Sequence, residues 1–466
     1  MVDETSSDKP EYQVILAVAL CALVIRVAFV VVMAESLDAD PDAYRRIAEN
    51  VRQHGVYGSG SSPTAFRPPL YPVLLAALAM GGEVSPSMTG GLNVLFGVAT
   101  VVLTFLLAKQ WRLGQWSFLA AALVAIDPIL LNQSALVMTE TLASLLAVAG
   151  MFALSHWSAK PSTAQAVIAG IVFGLACLCR PTFIPWLGLS LSVTGWLGSS
   201  LRAPSNATTG GSKTRPQPPL SRVIGQPLAF LLSAILVISP WILRNYNVFG
   251  VPKATTTHGG YTVLLGNNPS FYRYLREAPR GTTWDAVELA DAWEQRRYST
   301  TPNDAMWTLP HSASDIKDVD PVVRSEFEDD KFAYSLARRY ITDEPGMFVY
   351  ACFVRVSRLW QIIPYKTNVD ESTGRMWLRV ATGCWYSVLF VLAIVPIVVV
   401  RGANNRLFAE RTTTIIWGLL LCFTFTAVHA LYWSNMRMRA PLMPFICLMA
   451  ASGIAWISTY VGDRKP

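Results

Sequence analysis

Long, nearly uncharged apolar stretches separated by short polar ones dominate the pattern of this chain. They run at about 12–34, 87–108, 116–133, 141–157, 164–179, 183–200, 223–243, 378–400, 412–431 and 440–460. Each approaches the roughly 20 residues a helix needs to cross a hydrocarbon core, so the pattern predicts about ten transmembrane helices. Two further apolar stretches differ: 69–80 is short, and 347–363 carries Arg355 and Arg358 at helical spacing. Both predict interfacial helices.

With the N-terminus inside, the basic residues Lys109, Arg112, Lys160, Arg401, Arg406, Arg411, Arg464 and Lys465, and those of 202–222, all fall in inner loops. That is the bias expected of cytoplasmic loops, and counting either ambiguous stretch as a span would break it. The arrangement predicts a transmembrane module over 1–243 with a first outer loop at 35–86, an outer domain over 244–377, and C-terminal transmembrane helices over 378–466. The outer domain holds more than half of the 31 acidic residues and shows helical patterns near 284–298 and 321–341. It predicts a small water-exposed α or α/β unit. The 198–219 connection, rich in Ser, Gly, Thr and Pro, reads as a flexible inner loop. No internal repeat is visible.

Composition agrees with the pattern. Of 466 residues 52% are apolar and only 15% charged, against about 25% charged in soluble proteins, so an ordinary soluble enzyme is excluded. The net charge of +7 would suit nucleic acid, but the excess lies in the inner loops and the outer segment is near neutral, so no nucleic-acid partner is expected. The seven cysteines form no CxxC pair and lie mostly inside apolar runs, which argues against a disulfide framework or metal site. The first run is too long for a secretory signal and its leader is acidic, so it reads as a retained span.

Candidate chemistry collects at the outer ends of the spans. After the first span come three carboxylates, Asp38, Asp40 and Asp42, in the stretch Leu37-Asp38-Ala39-Asp40-Pro41-Asp42-Ala43-Tyr44. Pro41 suits a first helical turn with Asp40 as N-cap; the stretch is then either a capped juxtamembrane helix or the seat of an ionised base. The loop ends in Phe66-Arg67-Pro68-Pro69, where a rigid turn holds a permanently charged guanidinium, fit for a phosphate or for lipid headgroups. Glu140, after Thr139, either complements the dipole of the following helix or serves the site.

Arg244 closes the seventh span, and His258 follows in Thr257-His258-Gly259-Gly260. The histidine is open to reading as base, metal ligand or loop hydrogen-bonder. Arg437 and Arg439 precede the final span on the outer side, against the usual bias, and either anchor to headgroups or bind an anion. Arg26 lies mid-span, where a charge faces a partner or a watery cavity, with Asp127 as one candidate partner.

The segments DADPDAYRRIAENVRQHGVY, AFRPPLYPVLLAAL, LVMTETLASLL, GLACLCRPTFIPW, LRNYNVFG and NMRMRAPLMPFICLMAASG occur in the order seen in C-type glycosyltransferases. Over most of 12–458 the chain resembles their polyprenyl-phosphate-sugar-dependent branch, which includes aminoarabinose transferases and protein O-mannosyltransferases. No single motif carries the resemblance; the ordered set does, and it is silent on substrate.

The resemblance implies a helical bundle with interfacial helices and a smaller periplasmic domain, in a bacterial cytoplasmic membrane. It matches Asp40, four residues before Tyr44, to the proposed catalytic base, with Asp42 inside the same motif. It matches Glu140 to the second outer acid, Arg67 to the base preceding the double proline, and Arg244 to the cation closing its span. Aminoarabinose transferases carry a metal-binding acid where this chain has Phe66. No metal ligand is assigned here, and a divalent ion is left open.

The expected activity is transfer of a sugar from a polyprenyl-phosphate donor to a hydroxyl of a lipid, glycan or protein acceptor on the periplasmic face, with inversion. Asp40 would deprotonate the acceptor, Glu140 would orient it or Arg67, and Arg67, Arg244, Arg437 and Arg439 would hold the departing phosphate. Asp42, Tyr44 and His258 complete the expected binding set. No nucleotide-binding loop is present or needed. The alternative is a transporter or flippase of a lipid-linked sugar, although the repeated halves common in transporters are missing.

Overall fold

The computed structural model describes residues 11–79, 82–200, 221–279, 281–295, 325–366, 371–400 and 406–462. The expected inner loop beyond residue 200, the middle of the outer domain from 296 to 324, and the basic positions Arg401, Arg464 and Lys465 lie outside them.

The protein is helical and polytopic. Among the described residues six helices are long and apolar enough to cross a membrane: Tyr12–Val32, Pro86–Gln110, Glu140–Ala159, Val223–Phe249, Thr373–Val398 and Met436–Thr459. The third predicted span is broken into Trp116–Ala125 and Pro128–Ser134, bent by 50°, and counting it as one span gives seven. Thr163–Cys179 and Ile415–Leu431 are apolar but shorter. Among the described residues six or seven spans thus pass on length and composition, and the expected ten is not reached by that count.

In chain order the elements that matter to the site are α1 (Glu11–Val32), α2 (Tyr44–His54), α3 (Leu70–Leu78), α4 (Pro86–Gln110), α5 (Trp116–Ala125), α6 (Pro128–Ser134), α7 (Glu140–Ala159), α8 (Thr163–Cys179), α9 (Ile184–Ser200) and α10 (Gln226–Phe249). The outer helices α11 (Gly259–Gly266), α12 (Pro269–Glu277), α13 (Val287–Gln295), α14 (Glu326–Asp343) and α15 (Pro345–Leu359) follow. Then come α16 (Thr373–Val400), α17 (Arg406–Leu431) and α18 (Met443–Gly462). Among the described residues the single sheet is the two-residue hairpin Gly58–Ser59 (β1) with Ser62–Pro63 (β2). It lies in the first outer loop, and the described part of the outer domain is all helix.

The break between α5 and α6 has a local cause. Pro128 cannot continue a helix, and Asp127 caps the new one by accepting from the Leu130 amide at 3.0 Å. Arg26, almost fully buried on α1, runs through a gap that Gly97 leaves open: a Cβ there would stand 2.6 Å from the guanidinium. It donates to Ser134 Oγ at 2.6 Å and to the carbonyls of Leu130 and Val124 around the break. Its partners are thus mainly carbonyls. Asp127 accepts instead from Trp385 Nε1 and the Tyr386 hydroxyl on α16.

The helices between α10 and α16 include a separate core, in which Leu264 of α11, Leu289 of α13 and Leu336 of α14 meet. On α15, the stretch expected at the interface, Arg355 and Arg358 are buried against protein. Arg355 donates to the carbonyls of Gly266 and Ala430, tying the end of α11 to the end of α17.

Candidate functional site

The first outer loop supplies one wall of a cavity of about 580 Å³. Pro41 does not open α2; that helix begins at Tyr44, and Ala43 before it is left-handed at φ 59°. A side-chain-bearing residue in that conformation is strained, and here the kink turns Asp42 one way and Asp40 the other. Asp40 accepts from the Arg46 amide at 2.9 Å, closing the first turn of α2 through its side chain. Asp42 lines the cavity.

Arg67 meets Asp42 there. Its terminal nitrogen donates to Asp42 Oδ1 at 2.6 Å and its Nε to the Asp42 carbonyl at 3.1 Å, while its guanidinium lies over the rings of Phe66 and Tyr44. Both ends of the ion pair are thereby fixed. Tyr44 is buried, which pushes its hydroxyl up to about 12 despite the opposing charge of Arg67, so the phenol remains a proton donor.

Glu140 heads α7 on the opposite wall, its side chain 2% exposed, with Arg180 at 3.1 Å and Arg437 at 3.5 Å. A carboxylate in the first turn of a helix complements its dipole, and two guanidiniums on it leave the cluster cationic. Arg180 ends α8 in an extended conformation, as a residue before proline must, and is thereby turned into the cavity. Arg437 comes from the 3-10 turn Met436–Leu442.

The third side is aromatic and neutral. His258 caps α11, its ring 4.3 Å from that of Phe66 and 5.6 Å from that of Tyr261. Burial, aided by Arg67, pushes its pKa down to about 3. His429, Tyr334, Tyr432 and Trp433 complete this wall.

The structure therefore brings Asp42, Tyr44, Arg67, Glu140, His258 and Arg437 to one cavity and leaves Asp40, Arg244 and Arg439 outside its lining. Arg244 donates instead to the carbonyls of Thr64 and Tyr57, gripping the hairpin strands that lead to Arg67. Tyr57 in turn donates from its hydroxyl to the carbonyls of Arg67 and Pro68. Arg439, two residues beyond Arg437, points the other way: its guanidinium lies 4.2 Å from the Tyr386 ring centre and it donates to the carbonyls of Leu359 and Gln361.

Two cavity residues were missed from the sequence. Arg180 was visible only as the basic residue of an Arg-Pro step after an apolar run, and His429 carried no signal inside its span. Among the described residues no group of three His, Cys, Asp or Glu is placed to hold a metal ion. Phe66 supplies no ligand where an acid would be needed. The residues present do not fit a metal here.

Residues 80–184 match the sequence profile of the dolichyl-phosphate-mannose-protein mannosyltransferase family. No curated protein matches the chain. Among solved structures, ArnT from Cupriavidus metallidurans bound to undecaprenyl phosphate aligns at 13% identity over 94% of this chain and 78% of that one, with a TM-score of 0.38. The apo form of the same protein gives 13%, 93%, 77% and 0.36. The Archaeoglobus fulgidus oligosaccharyltransferase tethered to an acceptor peptide gives 13%, 91%, 56% and 0.32. The chain resembles the C-type glycosyltransferases, and the mannosyltransferase match falls on the segment that contributes Glu140 and Arg180 to the cavity.

Proposed function

We propose that this chain is a membrane glycosyltransferase that takes a sugar from a polyprenyl-phosphate donor and places it on an acceptor hydroxyl at the periplasmic face of a bacterial cytoplasmic membrane. The observation that carries the reading is the charge of the cavity. Its charged lining residues are Arg67, Arg180 and Arg437 against Asp42 and Glu140, an excess of one cation. A sugar-phosphate-lipid is a phosphodiester with one negative charge, and that charge grows as the lipid phosphate leaves. Arg180 and Arg437, sharing one buried carboxylate, are placed to receive it.

Asp42 is the carboxylate we assign as base, because it lines the cavity, whereas Asp40 lies outside that lining and accepts from the Arg46 amide. Arg67 holds Asp42 in one orientation, from which its carboxylate takes the acceptor proton as the new glycosidic bond forms. Displacement by an acceptor held on the opposite side from the phosphate inverts the anomeric carbon. Glu140, already committed to two arginines, orients the cations and is not the base. The acceptor is a hydroxyl of a lipid, glycan or protein.

Reconstitution in sealed vesicles with a panel of radiolabelled polyprenyl-phosphate sugars and membrane extract separates this reading from the flippase. Label that moves onto an acceptor supports transfer. Label that only changes leaflet, still joined to its lipid, identifies transport.

A further inference from the structure

Among the side chains lining the cavity, Arg180, His258, His429 and Arg437 each have a buried nitrogen without a hydrogen-bond partner among the described residues. Two are cations facing Glu140. His429 is already anchored, its Nδ1 lying 3.1 Å from the Trp433 carbonyl oxygen. His258 Nδ1 has nothing. Buried polar atoms are ordinarily satisfied, and one left open in a cavity wall points to a ligand group.

The ring is nonetheless held firmly. Its two aromatic neighbours, Phe66 and Tyr261, fix its plane, and its backbone is set by the two glycines that follow. A Cβ at Gly259 would stand 2.3 Å from the Tyr334 hydroxyl, and one at Gly260 would stand 2.1 Å from the Asp330 carbonyl oxygen. Only glycines let α11 pack this tightly on α14, and Asp330 secures the approach by accepting from the Gly260 amide at 2.7 Å. The Thr262 amide and hydroxyl both donate to the His258 carbonyl.

Resting on the transferase reading, we infer that the imidazole of His258 hydrogen-bonds a hydroxyl of a sugar ring in the cavity and so discriminates among sugars. A neutral nitrogen flanked by aromatic faces matches the chemistry of a saccharide, which presents hydroxyls at its rim and C–H groups on its faces. A carboxylate or phosphate group would be met better by the arginines nearby. A sugar lacking the matching hydroxyl leaves the nitrogen buried and unpaired, which is how such a site rejects it. The sugar belongs either to the donor or to a glycan acceptor.

The test measures binding of decaprenyl phosphate and of decaprenyl-phosphate hexoses and pentoses to the full-length protein in detergent, and acceptor KM in the transfer assay. The proteins are wild type, His258→Phe and His258→Gln, each checked for an unchanged melting temperature. His258→Phe keeps the ring stack and removes the hydrogen bond.

The expected result is unchanged affinity for decaprenyl phosphate and about tenfold weaker binding of the preferred decaprenyl-phosphate sugar, with partial recovery in His258→Gln. That assigns the contact to the donor sugar. Unchanged donor binding with a raised KM for a glycan acceptor assigns it to the acceptor. No change in either quantity overturns the inference while leaving the transferase intact, and equal weakening of sugar-bearing and sugar-free lipids overturns it as well. Failure of wild type to bind any decaprenyl phosphate overturns the donor reading and this inference together.

Discussion

Arg67 donates to the Asp42 carboxylate at 2.6 Å, joining two residues 25 apart in the first outer loop. The pair closes that loop at the cavity wall, and most of the site's expected behaviour depends on how it is held. Its supports are the left-handed Ala43 on one side and the hairpin gripped by Arg244 on the other.

Replacing Arg244 by lysine removes the forked donor that reaches both Thr64 and Tyr57. A single ammonium does not reproduce the two spaced, coplanar nitrogens that reach these carbonyls. The expected outcome is a folded protein whose kcat falls about tenfold or more through misplacement of Arg67, with donor binding nearly unchanged. Steady-state kinetics with a donor binding assay checks this; a loss confined to donor affinity would place Arg244 on the phosphate instead.

Ala43→Val should be more damaging than its size suggests. A β-branched side chain is excluded from the left-handed region that Ala43 occupies, so the turn must change and Asp42 with it. Loss of activity with Ala43→Val and retention with Ala43→Gly is the expected pair of outcomes, since glycine accepts the conformation freely. Equal effects of the two would remove the turn from the account.

Glu140→Gln leaves the largely buried Arg180 and the one-third-exposed Arg437 without their buried counter-charge. Removing one member of a buried ion pair costs about 3–5 kcal/mol, so the melting temperature should fall in the absence of ligand. Decaprenyl phosphate should restore more of it in the variant than in wild type, because the anion then replaces the missing charge. A thermal shift series with and without the lipid phosphate decides the matter.

The pH dependence of stability should carry a mark of His258. Its pKa is pushed down to about 3 in the folded protein, whereas an exposed histidine in the unfolded chain titrates near 6.5. Between these values the unfolded state binds the extra proton, so stability rises with pH through this window and is lost as pH falls from about 6.5 toward 3. His258→Phe should flatten that part of the curve. An unchanged slope in the variant would mean that the imidazole is solvated rather than buried.

How much of this was legible in the sequence varies with the physics involved. The class of the protein was plain, because membrane helices announce themselves as long uncharged runs. Their continuity was less so: Pro128 breaks a run that hydropathy alone reads as continuous, and Asp127 caps the helix beyond the break. Of the acids and cations expected together, Asp42, Arg67, Glu140 and Arg437 line one cavity and Asp40, Arg244 and Arg439 do not, because spacing alone could not separate neighbours on a turn. Asp40 and Asp42 face different ways because of one left-handed residue, and Arg437 and Arg439 diverge on one short 3-10 turn. Arg180 was overlooked because an Arg-Pro step after an apolar run reads as a helix terminus, which it also is.

The most direct test compares sugar transfer by purified wild type, Asp42→Asn and Asp40→Asn, using radiolabelled polyprenyl-phosphate sugars with membrane extract as the source of acceptors. Loss of transfer by about a hundredfold or more in Asp42→Asn with donor binding retained, alongside an Asp40→Asn protein that still transfers, is what the geometry predicts. A fully active Asp42→Asn, or an Asp40→Asn protein that binds donor and transfers nothing, would contradict it.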